Sequence, residues 1–72
     1  MNISTLLNVL PVVGPVIAKA PEFVALYQAA ASLLNDPDQA TAKEALADIQ
    51  VDNDEGHARL QAKLAAVAAA DD

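Results

Sequence analysis

Proline placement constrains this chain more than any other feature. Pro11, Pro15, Pro21 and Pro37 all fall in the first 37 residues, and the 35 that follow contain none. A proline cannot continue a helix from its N-terminal side without losing a hydrogen bond, and it pushes the preceding residue out of the α region. The first half must therefore be short segments with bends, whereas the second half can form long helices. With 72 residues and no cysteine, one small domain is the upper bound, and no disulfide or thiolate metal site can brace it. Of the 54% hydrophobic residues, alanine supplies 17 positions and aromatics only Phe23 and Tyr27, which excludes a large enzyme core.

Charge divides the chain at the same place. Residues 1–35 carry only Lys19 and Glu22, while residues 36–72 carry three basic and nine acidic groups, which accounts for the whole net charge of −6. An acidic balance argues against phosphate-backbone binding, so nucleic acid is not an expected partner. Ile3 to Ala18 is an uncharged run, but no Lys or Arg precedes it as a signal peptide requires. The run is also shorter than the roughly 20 residues of a spanning helix and is interrupted by Asn8, Pro11, Gly14 and Pro15.

Periodicity predicts an all-α fold. Ile3, Leu6, Leu7 and Leu10 follow the i, i+3, i+4, i+7 spacing of one helix face. Asn2 or Ser4 is the expected cap, and Pro11 the expected stop. Val12 to Pro15 reads as a bend, or as a kinked helix continuing weakly to Lys19. Pro21 suits a first helical position, and Phe23, Leu26, Tyr27, Ala30, Leu33 and Leu34 mark the next stripe. Asp36-Pro37 reads as an N-cap followed by a proline, so a connection of about two residues would join two helices into an antiparallel hairpin.

The third segment carries apolar positions at alternating spacings of four and three. Ala42, Leu46, Ile49, Asn53, Gly56, Leu60, Lys63, Val67 and Ala70 form a heptad seam interrupted at Asn53, Gly56 and Lys63, and Leu64 repairs the last interruption. Two architectures fit. The leading one is a continuous or kinked helix from Pro37 to Ala69, roughly 50 Å long at 1.5 Å per residue. In the other, the chain breaks near Val51 and restarts with Asp52 as cap and Glu55 three residues on. The expected layout is an apolar segment over 1–20, a helical hairpin over 21–70 and a disordered tail at 71–72, assembled as an oligomeric bundle.

Candidate chemistry is sparse. The run Asp52 to Gly56 suggests a calcium loop, but placing Gly56 sixth puts Val51 and Ala62 at ligand positions, and neither can ligate. His57 has no second histidine or cysteine to share a metal with. Ser4 and Ser32 have no base beside them, and Glu44 with Asp48 lies on what reads as an exposed helix without a pocket. Neither catalytic, cofactor nor metal residues are expected. The expected partner contacts are apolar: Ile3, Leu6, Leu7, Leu10, Val13 and Ile17 in the opening, then Phe23, Leu26 and Tyr27, then Leu46, Ile49, Asn53, Leu60, Leu64 and Val67. A second possible close-packing face is Ala62, Ala65, Ala66 and Ala69.

The stretch from Asp52 to Leu64, DNDEGHARLQAKL, resembles the C-terminal part of small Ala-rich helical proteins of tailed bacteriophages and prophages. The layout of an apolar opening, a Pro-started helix and a charged Ala-rich helix is similar too, over residues 21–70. The resemblance implies a virion or accessory component that oligomerises or docks on a larger assembly, in the virion or the host cytoplasm. It carries no specific motif and supplies no site residue. Two other readings remain: a holin-like or membrane-associated protein in which residues 3–34 enter a bilayer, and a host-directed regulator binding one host protein. Against the membrane reading stand Asn8, Glu22, Gln28 and three prolines, all costly in hydrocarbon.

Overall fold

The computed structural model describes residues 2–70. The tail expected to be disordered, Asp71 and Asp72, lies outside them. The described residues form four helices and no strand: α1 Ile3–Ala18, α2 Pro21–Ala31, α3 Asp36–Val51 and α4 Asp54–Ala70.

Asn2 caps α1, its side chain accepting from the Thr5 N–H at 2.9 Å. Pro11 does not end this helix, contrary to the expectation from sequence. A proline inside a helix removes a single hydrogen bond, and Leu10 keeps its helical conformation. The break comes at Gly14, with φ 80° and ψ 171°. The residue before Pro15 is pushed out of the α region, and only glycine reaches this positive-φ alternative without strain. The kink divides α1 into two limbs, and the second runs to Ala18.

Pro21 opens α2 as expected. The α2–α3 connection is four residues, 32–35, rather than two, and the cap of α3 is Asn35 rather than Asp36. The Asn35 side chain accepts from the Asp38 N–H at 2.9 Å. Gln39 steadies the turn by donating to the Leu34 carbonyl at 2.7 Å. From α2 the Tyr27 hydroxyl donates to the Ala42 carbonyl at 2.7 Å, pinning α2 on α3. Burial pushes the Tyr27 phenol well above its ordinary range, so it stays a neutral donor. Gln50 of α3 donates to the Ala18 carbonyl at 2.9 Å and so satisfies an acceptor in the last turn of α1.

The continuous third helix does not form. Asp52 takes the left-handed conformation, φ 53° and ψ 51°, and the chain turns back on itself. Asn53 then caps α4, its side chain accepting from the Gly56 N–H at 2.7 Å and its carbonyl from the His57 N–H at 2.9 Å. Asn53 is therefore an exposed cap and not a buried polar residue in a seam. The described residues span 30 × 25 × 18 Å, shorter than a straight helix over 37–69 would require.

The seam positions are nonetheless the buried ones. Ala42, Leu46 and Ile49 from α3 and Gly56, Leu60 and Val67 from α4 are interior, facing each other and α1 within one chain. Leu7 and Leu10 of α1 lie at the centre of the core and are fully buried. Gly56 allows the closest approach, since a Cβ there would meet the Asp48 carbonyl oxygen at 2.5 Å.

Gly56→Ala tests this packing. Helix propensity alone would raise stability by about 1 kcal/mol, whereas a methyl forced against backbone costs about 1–3 kcal/mol. We expect a net loss, seen as a melting temperature lower by roughly 5 °C in circular dichroism at 222 nm. A higher melting temperature would mean that α4 does not approach α3 at this point.

Candidate interaction surface

Burial sorts the residues expected to meet a partner into two sets. Ile3, Leu6, Leu7, Leu10, Tyr27, Leu46, Ile49, Leu60 and Val67 are taken up in the chain's own core. They are not presented to a partner, because α3 and α4 fold back over α1 and cover them. Val13, Phe23 and Leu64 are half-buried at its edge. Ile17 and Leu26 remain exposed, as do Ala62, Ala65, Ala66 and Ala69 on α4.

The exposed large apolar side chains gather in the first 35 residues, with Val51 the exception. On α1 they are Val9, Val12, Val16 and Ile17; on α2 and the turn after it, Leu26 and Leu33. Val12, Val16, Leu26 and Leu33 are 72–85% exposed, as open as charged residues. Their positions follow from helix geometry. At 100° per residue, Val12 lies opposite the buried face of Leu6 and Leu10, so α1 is apolar on both sides. A helix apolar all round is a buried one in most folds. Leu26 on α2 and Leu33 in the turn after it stay open, whereas Phe23 and Ala30 pack against the core and the Phe23 ring lies 5.9 Å from that of Tyr27. The spacing of Val9, Val12 and Val16 (three, then four) was the available sequence signal for the outer stripe, obscured by the two prolines among them.

Polar chemistry concentrates elsewhere, at the α3–α4 corner. Asp48 is the buried charged residue of the core. Its carboxylate accepts from Arg59 Nε at 3.0 Å and from Lys63 Nζ at 2.6 Å. Sequence reading placed Asp48 beside Glu44 on an exposed face; instead Glu44 is exposed and Asp48 points under α4. Burial by itself raises the Asp48 pKa. The hydrogen bonds and charges of Lys63 and Arg59 outweigh burial and hold the carboxyl below the usual carboxylate range. Arg59 also lies 3.7 Å from Glu55 one turn back. The segment read as a failed calcium loop thus builds a corner: Asp52 turns, Asn53 caps, Gly56 packs, and His57 Nε2 sits 3.2 Å from Asp52 Oδ1.

A cleft of about 210 Å³ opens beside the α1 kink. Pro11, Gly14 and Pro15 form one wall, Ile49 and Leu60 the floor, and His57 and Gln61 the other side. It is smaller than the 300–1,000 Å³ usual for small-molecule sites. No helix among the described residues is long and apolar enough to cross a membrane. Comparison with protein-family models, curated proteins and solved structures finds no match to this chain.

Acid titration tests the corner. With the folded pKa below the ordinary value near 3.9, the Asp48 contribution is complete above that pH and is lost as pH falls through the folded value. Asp48→Asn should cost about 2 kcal/mol at pH 7, as a lost charge-assisted pair of hydrogen bonds does. The two stability curves should converge below pH 4. Parallel curves down to pH 2 would show that the carboxylate is not held by its cations.

Proposed function

We propose that this chain is a non-enzymatic helical interaction protein that self-associates, or docks on a larger protein assembly, through the outer face of α1 and α2. The observation that carries the reading is the exposure of Val12, Val16, Leu26 and Leu33, the most open large apolar side chains among the described residues. Full burial of each such side chain stabilises a complex by about 1.5 kcal/mol or more. Charge supports the same face. Residues 1–35 carry one base and one acid, so two copies can approach there without repulsion, their acidic halves outward. The resemblance of residues 52–64 to small phage helical proteins supports placing such an assembly in a virion or its accessory machinery.

Sedimentation equilibrium tests this reading. The wild-type chain should exceed 7.4 kDa at micromolar concentration and above. Val12→Asp with Val16→Asp should return it to monomer at low micromolar concentration and shift intrinsic stability by no more than about 0.5 kcal/mol, since neither side chain contributes to the core. A wild type that stays monomeric with a concentration-independent melting point would defeat self-association. If the chain then also co-sediments with lipid vesicles, and the same two substitutions abolish this, the face is a membrane-surface contact instead.

A further inference from the structure

The α3–α4 corner has the features of a hinge. Only Asp52 and Asn53 separate the two helices. Asp52 occupies the left-handed region, which costs any residue with a side chain relative to the right-handed helix. Yet residues 50–55 hold no proline or glycine, and Glu55 is placed to pair with Arg59 one turn on, so nothing local forbids a helix running straight through. The buried residues on either side stay in heptad phase across the gap: Ala42, Leu46 and Ile49, then Gly56, Leu60 and Val67. Among the four helices, α4 packs on α1 and α3 and not on α2. Its packing beyond the hinge residues therefore sits on one module that a second copy presents identically.

We propose that α4 is an exchangeable arm: the chain straightens at Asp52–Asn53, and α4 docks on α1 and α3 of a second copy of this chain. In the exchanged dimer Arg59 and Lys63 of one protomer grip the Asp48 of the other, and Gly56 packs on the other's Asp48 carbonyl. No new interface chemistry is required, because the closed and exchanged forms share their contacts and differ at the hinge. Such exchange is a low-cost route to dimers where a short connection is strained. The closed form has the advantage of a tethered arm, an effective concentration of about millimolar; the dimer straightens two hinges, and release of the left-handed residue at each offsets that by about tenfold, about a hundredfold together. Exchange should thus become measurable near ~0.01 mM chain. It does not depend on the outer face of α1 and α2, and the two are separable by mutation.

The test compares wild type, Asp52→Gly and Asp52→Ala, each also in the Val12→Asp, Val16→Asp background. Glycine removes the cost of the left-handed conformation at both hinges and should weaken dimerisation about a hundredfold. Alanine keeps that cost and favours the straight helix, and should strengthen it about tenfold. Sedimentation equilibrium gives the dimer constant for each, with the same order in both backgrounds. The isolated dimer, grown from mixed heavy- and light-nitrogen chains, is then coupled with a carbodiimide, which joins the Asp48 carboxylate to the Lys63 amine 2.6 Å away. Linked peptides pairing one heavy and one light partner establish exchange. Links confined within one isotope, a dimer constant indifferent to residue 52, or no dimer in any variant up to millimolar chain would each overturn it.

Discussion

The tertiary structure rests on a single turn of α3, where Asp48 contributes twice. Its backbone carbonyl is where Gly56 lets α4 come close, and its side chain is where Arg59 and Lys63 of α4 converge. Close approach and ion pairing act on the same spot, so they fix both the distance and the rotation of α4. Given that placement, Leu60 and Val67 complete the core over α1, and Leu7 and Leu10 become fully buried. A carboxylate is costly to bury alone and is tolerable when paired and hydrogen-bonded. Arg59 and Lys63 are one turn apart on one helix face, which is the spacing needed to take both oxygens of a single carboxylate.

A chain this short can close a core without disulfides only by using small residues at its contacts. Ala18, Ala31, Ala42 and Ala45 are almost fully buried, and each permits helices to lie near one another. The polar groups inside are few, and each is satisfied: Tyr27 on Ala42, Gln50 on Ala18, Asp48 on its two cations. These four bonds, made at three places, tie α3 in turn to α2, α1 and α4. The third helix is the hub, although its sequence, the most acidic of the four, looks the least like a core element.

Helix identity was legible in the residues because it depends on local spacing and on caps. Asn2, Pro21 and the apolar stripes all act within a turn or two of themselves. The buried positions of α3 and α4 were legible too, as a seam. What spacing cannot encode is which surface a seam faces. Ala42 through Val67 would look the same zipped to a partner or folded upon itself, and the choice turns on Asp48 meeting Arg59 and Lys63 eleven and fifteen residues away. Because that contact was invisible, Asn53 read as a polar interruption rather than a cap, and Leu6 to Leu10 read as surface rather than core. The Pro11 error has a different origin. Two prolines four residues apart compete to place one kink, and the chain bends where glycine can take the strained conformation. Of the interaction surface, Ile17 and Leu26 were legible as apolar. The outer stripe of Val9, Val12 and Val16 was legible as apolar too, but its outward orientation was not, since a helix apolar on both sides offers no contrast between inside and out.

Charge distribution makes the two proposed modes of association compatible in one molecule. The net charge of −6 does not lie evenly on the four helices. α1 and α2 with the turn between them carry one base, Lys19, and one acid, Glu22, and α4 carries two bases and two acids, so both are neutral. α3 carries four acids and one base, a net of −3, and Asp52, Asp71 and Asp72 supply the remaining three. Contact through α1 and α2 therefore brings neutral surfaces together. Exchange of α4 moves a neutral arm from one acidic α3 to another, and its two cations find an identical Asp48. Neither step requires one acidic α3 to lie against another, and the uncompensated charge of α3 stays outward. Outward acid there disfavours stacking of one α3 on another, which leaves the neutral half and the α4 arm as the proposed routes of association.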